Sequence, residues 1–260
     1  MSKRYYVRNT VVPFEEDFTH EFKGHRNICV EDLPPWTQES KTEKASRRAV
    51  SRVLNAFLNT GKGGTVYLGV IDSGCVKGLQ LSAYQKMHVI DAVNDVLSRY
   101  IPPVKNHRYS IKFVPVYESD EDSNTSTSKG LDDGFDSELA GRAHDLQGHK
   151  YCWCDRDAVM QYNAGIMLQD YVIEIKVKPW DSDDPLNHDD GCGTMVNLHP
   201  IHDDEEGNCY FRRQASNVQY TMTELARLTK HEVEVTCQEK IASLKREIAH
   251  LQKIKQESIS

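Results

Sequence analysis

The 260-residue sequence lacks several features that would place it in a class at once. It has no apolar run near the roughly 20 residues that cross a bilayer. Its N-terminus, MSKRYYVRNTVV, has no apolar block of the kind that directs secretion. Its seven cysteines are an odd number without regular spacing, which argues against a disulfide framework. We therefore expect an intracellular, cytoplasmic protein with reduced thiols and no membrane segment.

An excess of positive charge is also missing, and this at first argues against a nucleic-acid partner. The net charge is −7 at neutral pH. The acids are concentrated, however, in two stretches rich in Asp, Ser and Gly, at about 118–168 and 181–208, which lack hydrophobic periodicity. We interpret both as surface insertions. Without them the chain is near neutral or mildly basic, so the total charge does not decide the class of partner.

The glycine-rich stretch NTGKGGTVYLGVIDSG, at 59–74, superficially resembles a phosphate-binding loop. The apolar spacing of KTEKASRRAVSRVLNAFLNTG predicts a helix before the glycines, and TVYLGVID predicts a buried strand after them. A P-loop has the opposite order, strand then glycines then helix, and the spacing G-x-x-x-x-G-K-[ST] is absent. We predict a tight helix-to-strand turn and no ATP site.

Further elements follow from hydrophobic periodicity. SAYQKMHVIDAVNDVLSRY, at 82–100, predicts an amphipathic helix, while RYSIKFVPVYE, DYVIEIKVKPW and CYFRRQ predict strands. A last helix is expected from Met222 onward. Its tail carries apolar residues at heptad spacing, namely Ile241, Leu244, Ile248 and Leu251. Two heptads suit either a helix that packs on its own domain or one that joins a second subunit.

Acidic residues cluster upstream, in PFEEDFTHEFKGHRN at 13–27. If HEFKG is a strand, Glu21 and Lys23 share one face because strand side chains repeat every two residues. Asp72 closes the strand VYLGVID, at an end that often borders a cleft. Carboxylates from separate elements can hold hard divalent cations, and such sites suit phosphodiester hydrolysis. The same spacing also fits a solvated surface, so the residues alone leave both interpretations open.

The order of these motifs resembles the AlbA_2-type domain of the Schlafen family. The shared motifs are E-x-x-x-x-E-F-K, a helix ending in NTGKGG, and a strand closing on GVID. DYVIEIKVKPW is similar to the family's next core strand and YFRRQAS to its arginine-bearing strand. The resemblance spans roughly 13–228, apart from the insertions, and the short chain without a helicase region is most similar to the Schlafen-like protein 1 group.

The resemblance implies an α+β fold. A single Schlafen-type lobe at 1–230 would hold a mixed β-sheet flanked by helices, with the acidic insertions at about 118–168 and 181–208. An amphipathic helix at 231–260, a candidate oligomerisation segment, would follow. Longer members of the family enclose RNA between two lobes. A single lobe therefore implies a homodimer or a related Schlafen-like second subunit.

The resemblance also implies an activity. Schlafen nucleases cut structured RNA, such as tRNA, with three carboxylates and Mg²⁺ or Mn²⁺. Carried over, the carboxylates are Glu16, Glu21 and Asp72, and Lys23 would neutralise phosphate charge; Glu15 replaces Glu16 if the register shifts by one. The implied function is a metal-dependent endoribonuclease. The alternative is a non-catalytic RNA-binding or scaffold subunit whose acids are vestigial or completed by a partner.

Basic residues in two places would lie along an RNA backbone beside such a site. They are Lys44, Arg47, Arg48 and Arg52 on the first predicted helix, and Arg212 and Arg213 on the strand CYFRRQ. A stripe of this kind is also typical of an ordinary solvated helix face. Nothing in the pattern indicates base-specific contacts, and recognition of RNA shape fits better.

A structural zinc site is a further expectation. Schlafens often carry a His-x-Cys pair and a Cys-Cys pair after the core strand, and the matching positions here read VKNHRYS and KPWDSDD. GHKYCWCD and the second insertion offer other ligands, namely His149, Cys152, Cys154, His188 and Cys192. These residue types suit a tetrahedral zinc site. Cys-x-Cys is less typical of zinc than Cys-x-x-Cys, so free thiols in a loop remain the alternative.

Overall fold

The computed structural model describes residues 4–32, 50–119, 136–147, 151–188 and 197–257. These ranges form an α+β fold with a mixed, curled β-sheet and a C-terminal helix, as predicted. The chain divides into two units. One comprises 1–180 and 201–219, and the other comprises 181–200 and 220–260.

The helices and strands are numbered along the chain. The α-helices of the described ranges are α1 Val50–Asn59, α2 Ala83–Arg99, α3 Ser137–Ala140, α4 Trp153–Asn163 and α5 Met222–Glu257. The strands are β1 Tyr6–Val7, β2 His20–Lys23, β3 Gly64–Leu68, β4 Leu79–Leu81, β5 Tyr109–Tyr117, β6 Gln169–Val177, β7 Tyr210–Arg213 and β8 Ser216–Gln219. Short 3-10 turns lie at Val30–Asp32, Asn106–Arg108 and Pro185–Asn187.

Six strands form the main sheet, and β7 and β8 form a separate hairpin. The main order is β1-β5-β6-β3-β2, with β4 also pairing to β6. Strands β2 and β3 are parallel, and their register sets Glu21 opposite Val66. The Gly69 N–H donates to the Lys23 carbonyl oxygen at 2.8 Å, so the two strands end together. Beyond that point the chain enters the loop that carries Asp72.

Alternation along the strands divides the core between the two faces of the sheet. Helices α1 and α2 bury their apolar stripes with one face, which includes Val66, Leu68 and Ile173. A smaller cluster on the other face contains Phe22, Tyr67 and their neighbours. Because Glu21 precedes Phe22 on β2, its side chain points to the helix-covered face. A carboxylate there is buried and needs compensating charge.

The glycines at 61–64 make the predicted helix-to-strand turn. Helix α1 ends at Asn59 and β3 begins at Gly64, which confirms the order that excludes a P-loop. Gly63 has φ +66°, a left-handed conformation that strains other residues. A Cβ atom at Gly63 would lie 2.5 Å from the Val177 carbonyl oxygen. Only glycine therefore lets β3 start so close to the end of β6.

Two asparagines of α1 are buried and bind later parts of the chain. Asn55 Oδ1 accepts a hydrogen bond from the Tyr210 N–H at 2.8 Å, which fixes the start of β7. Asn59 Oδ1 accepts one from the His202 N–H at 2.7 Å. His202 is itself buried. The last part of the predicted second insertion is thus attached to the core by polar contacts, which hydrophobic periodicity does not detect.

Helix α5 belongs to the second unit and crosses the predicted boundary between 230 and 231. In its unit, His199 Nδ1 lies 3.8 Å from Glu232 Oε2. The four heptad residues are between 38% and 57% exposed, at Ile241, Leu244, Ile248 and Leu251. Their apolar side chains therefore meet solvent in the single chain. Of the helices the structure describes, none is both long enough and apolar enough to cross a membrane.

Candidate functional site

The three candidate carboxylates are carried by three different segments. Glu16 lies in the loop before β2, Glu21 on β2, and Asp72 in the turn after β3. Glu16 and Asp72 line one cavity of about 620 Å³. Glu15 also lines this cavity, so both registers considered for the first acid lead to the same place. Asp72 is exposed, Glu16 is half-buried and Glu21 is buried.

Glu21 lies between two cations. Its side chain contacts Lys23 Nζ at 2.5 Å through Oε1 and Arg212 Nη1 at 2.6 Å through Oε2. The first contact confirms that Glu21 and Lys23 share a face of β2. In the second contact, Arg212 Nη1 and Glu21 Oε2 are at ion-pair distance, but their angles do not fit a hydrogen bond. Glu21 Oε2 is therefore a buried atom that accepts no hydrogen bond. The negative charge that folding buries is therefore compensated, while one oxygen keeps an unused lone pair.

Arg212 is held by the backbone around β2. Its Nε donates to the Asp17 carbonyl oxygen at 2.9 Å and its Nη2 to the His20 carbonyl oxygen at 3.0 Å. Its Nη1 donates to Asn217 Oδ1 at 3.0 Å, and the side chain has 0% exposure. A guanidinium so enclosed positions Glu21 and does not meet solvent. This differs from the predicted contact between Arg212 and RNA phosphate.

The pKa of Glu16 depends on the charges of the other two acids. Burial raises the pKa of the Glu16 carboxyl, and the negative charges of Glu21 and Asp72 raise it further. The Phe22 N–H, which donates to Glu16 Oε1 at 2.8 Å, and the charge of Lys23 act in the opposite direction. Glu16 is thus close enough to Glu21 and to Asp72 to be repelled by both. A bound cation would relieve this repulsion.

The three acids are nevertheless not drawn together as a finished metal site. Within the described ranges, only one group of His, Cys, Asp or Glu side chains brings three or more ligand atoms within 4.8 Å of one another. That group contains none of the three carboxylates. Binding a single cation through all three acids would therefore need side-chain rotation at Glu16 or Asp72.

The predicted basic residues lie in different settings. Lys44, Arg47 and Arg48 fall outside the described residues. Arg52 forms an ion pair with Glu206 at 2.8 Å and lies over the Tyr210 ring. Arg213 is exposed on β7. Among the described arginines that were predicted to contact RNA, Arg52 is half-buried, Arg212 is buried and Arg213 is exposed.

The group of close ligand atoms consists of His88, His144, Cys152 and Cys154, hereafter the His/Cys cluster. Sequence reasoning identified the two cysteines and missed both histidines. Of the predicted partners, His188 is exposed, lies in the second unit and contacts the Ser182 carbonyl oxygen at 3.0 Å. His149 and Cys192 are outside the described residues. His144 could have been predicted from its position eight residues before Cys152. His88 lies on another element, and no sequence spacing relates it to the cysteines.

The His/Cys cluster pairs each sulfur with one imidazole. Cys152 Sγ lies 3.6 Å from His144 Nδ1, and Cys154 Sγ lies 3.6 Å from His88 Nδ1. Burial lowers the pKa of His88 to about 4, so its ring is neutral at physiological pH. Burial also raises the pKa of the Cys154 thiol. Without a cation, the His88 ring and the Cys154 thiol are therefore uncharged.

A larger cavity, of about 870 Å³, lies beside α4. Its lining includes Arg26, Gln85 and Asp155 together with apolar residues of α4. Arg26 and Asp155 form an ion pair with each other. Arg156 lines it as well, and none of the predicted site residues does, so the carboxylate cavity remains the candidate for the predicted chemistry.

The motifs that suggested the Schlafen family now have places in the fold. The E-F-K of residues 21–23 lies on β2, the turn at 59–64 joins α1 to β3, and Asp72 follows β3. These placements describe the site without separating one family from another. No protein-family model matches the sequence, and membership of the Schlafen family stays a prediction from the motifs.

Proposed function

We propose that this protein is a metal-dependent endoribonuclease that cleaves structured RNA such as tRNA, with Glu16, Glu21 and Asp72 as its carboxylate set. The observation that supports this most is that Glu16 and Asp72 line one cavity, and that the charges of Glu21 and Asp72 add to burial in raising the pKa of Glu16. Folding brings like charges together at a cost in stability. A hard divalent cation between carboxylate oxygens would turn that repulsion into attraction.

The residues fit Mg²⁺ or Mn²⁺ in their chemistry. All candidate donors are oxygens, which both ions prefer. Glu21 Oε2 is buried, accepts no hydrogen bond and keeps a lone pair. When bound, the ion would polarise the scissile phosphate and lower the pKa of a water molecule. Glu21 and Asp72 would supply ligand oxygens to it.

The remaining roles belong to the protein's own side chains. Glu16, whose carboxyl pKa is raised, is suited to accept a proton from the attacking water and return it to the leaving oxygen. Lys23 Nζ, beside Glu21, would offset the phosphate charge. Arg212 would keep the Glu21 carboxylate in place from behind. Arg213 would contact the RNA backbone outside the cavity.

The test is cleavage of folded tRNA and of a matched unstructured strand, in Mg²⁺, in Mn²⁺ and in EDTA. Glu21→Gln and Asp72→Asn are compared with wild type and with Glu247→Gln, a control at an exposed position of α5. We expect cleavage by wild type and control only, and only with a cation. Equal cleavage by Asp72→Asn, or cleavage that persists in EDTA, would refute the proposed site.

One observation favours the alternative of a non-catalytic RNA-binding subunit. Both oxygens of Glu21 already face cations, and the three carboxylates are not within 4.8 Å of one another as a group. Under this alternative Glu21 serves stability and RNA binding needs no divalent ion. Retention of RNA in EDTA, without cleavage under any condition, would support it and would direct attention to a missing catalytic partner.

The proposal includes a second copy of the chain, joined through α5. The heptad residues of α5 are exposed in the single chain and their spacing suits a two-stranded coiled coil. Two lobes would then present two cavities to one RNA. Light scattering on wild type and on Leu244→Glu tests this, since a charge at a heptad position should convert a dimer to a monomer. A monomeric wild type would leave a related second subunit as the partner.

A further inference from the structure

The His/Cys cluster joins two parts of the first unit that are distant in sequence. His88 lies on α2, whereas His144, Cys152 and Cys154 lie in the segment between β5 and β6. All four ligand atoms are within 4.8 Å of one another, and both sulfurs belong to buried residues. Two soft sulfurs and two imidazoles converging in this way are unlike an ordinary apolar contact. They match the donor set of a zinc site.

The distances within the cluster fit a tetrahedral ion. Zinc bonds of about 2.3 Å to sulfur and about 2.0–2.1 Å to nitrogen place neighbouring S and N ligands about 3.5–3.6 Å apart. Both S···N separations paired in the cluster are 3.6 Å. The remaining pairs need to close by at most about 1.5 Å to reach tetrahedral edges. Rotations of half-buried imidazoles can supply this movement.

We propose that His88 and His144, through Nδ1, and Cys152 and Cys154, through Sγ, bind one structural Zn²⁺. Binding would release the two thiol protons to solvent. The site would then consist of two thiolates, two neutral imidazoles and Zn²⁺, with no net charge overall. Four protein ligands leave no open coordination position. The site is therefore structural and separate from the carboxylate chemistry.

The surroundings hold Cys152 and His144 in position. The Asp145 N–H donates to Cys152 Sγ at 3.4 Å. Cys152 is also the N-cap residue of α4, so the start of this helix fixes its position. The His144 ring stacks on Trp153, with centroids 5.0 Å apart, and the Trp153 indole N–H donates to the Ala143 carbonyl oxygen. These contacts orient His144 and the start of α4 before any ion arrives.

The zinc would attach the segment that carries α3 and α4 to α2. This segment follows residues 120–135 of the acidic insertion. A small apolar cluster joins it to α2, in which Tyr84, Met87, Leu139, Ala140 and Trp153 pack with the two cysteines, and Leu146 packs against the main core. Metal ligation can provide stability that so small a cluster does not. The insertion would thus be acidic chain with a metal-anchored helical part. This role is independent of RNA cleavage.

The test is the zinc content of the purified full-length protein, prepared under reducing conditions and supplied with zinc. Elemental analysis and native mass spectrometry should both give about one zinc per chain in the wild type. His88→Asn and Cys154→Ser should lower zinc occupancy about tenfold or more. Cys75→Ser and His188→Asn, which change residues outside the cluster, should leave the zinc content unchanged.

Two further measurements keep the test decisive if a variant misfolds. Co²⁺ added to the metal-free wild type should give the visible absorption of a tetrahedral site with thiolate charge-transfer bands. Removal of zinc by a chelator should increase proteolysis within 136–163. RNA cleavage should instead depend on added Mg²⁺ and not on zinc. Absence of zinc from wild type, a Co²⁺ spectrum without thiolate bands, or loss of zinc in His188→Asn with retention in His88→Asn would each overturn the proposal.

Discussion

The carboxylate site and the His/Cys cluster are built in opposite ways. The carboxylates come from a loop, a strand and a turn. Glu16 and Asp72 border one cavity, Glu21 is buried, and Glu16 is repelled by the other two. The His/Cys cluster has two buried cysteines and two half-buried histidines, and its ligand atoms lie within 4.8 Å of one another. Acids that border a cavity, as Glu16 and Asp72 do, can exchange ligands with solvent, which suits catalysis. Four ligands around one ion leave no coordination position for solvent, which suits a structural role.

The largest expected effect comes from a substitution in the turn between α1 and β3, which should destabilise the main sheet. Gly63→Val places a side chain 2.5 Å from a backbone oxygen at a positive φ. We expect a loss of more than about 4 kcal/mol in the free energy of unfolding, measured by urea denaturation. Gly165→Ala is the control, because Gly165 has φ +78° and nothing within 4 Å of a Cβ. It should cost only about 1–2 kcal/mol, and an equal loss in both variants would refute the clash.

A second experiment affects the carboxylate region alone. Arg212→Met leaves Glu21 buried with one cation fewer, which should destabilise the fold by about 3–5 kcal/mol. The zinc content should not change. In a Glu21→Gln background the same substitution should lower the free energy of unfolding much less. Denaturation of wild type, both single variants and the double variant would measure this. Independent, additive losses would show that the ion pair does not hold Glu21.

A third experiment separates the two regions by metal removal. Brief EDTA treatment should lower RNA cleavage by about a hundredfold or more, reversibly with Mg²⁺, because Asp72 and Glu16 line a cavity that solvent can enter. The enclosed zinc should stay bound, as elemental analysis after desalting would show. Loss of zinc and activity together, with restoration only by zinc, would instead assign the activity to the His/Cys cluster.

The smallest expected effect concerns Glu16. Its pKa is raised above the ordinary 4.5, so the folded state holds this proton more tightly than the unfolded state. The stability of the metal-free protein should therefore fall as pH rises from 4.5 through the raised pKa. Glu16→Gln should abolish that fall and gain under about 1 kcal/mol at neutral pH, since the group is partly solvated. Melting temperatures across this range would measure it, and an unchanged pH profile would contradict the assigned repulsion.

Local patterns in the sequence were enough for much of the fold. The stripe of α2 and the alternation of β5 and β6 depend on residues close together in the chain, where the helix and strand periods apply directly. The pairing of Glu21 with Lys23 follows from the same two-residue period. The turn at Gly63 follows from helix, glycines and strand in that order.

Other features required distant segments to meet. The buried contact between Arg212 and Glu21 depends on β7 packing against α1 and β2, which Asn55 and Asn59 help to fix. Alternation on a short strand could not say which of Arg212 and Arg213 faces inward. The part of the second insertion around His202 was interpreted as surface because its residues are polar, yet buried amides satisfy them.

The sequence by itself determined the order of elements, the α+β class and the two residues of the acidic strand that share a face. These properties are local, because backbone geometry repeats every few residues. The tertiary structure decided which partners Glu21 acquires and which histidines join Cys152 and Cys154. Such contacts join residues tens to hundreds of positions apart, and no local period relates them; only the packing of the folded chain sets those distances.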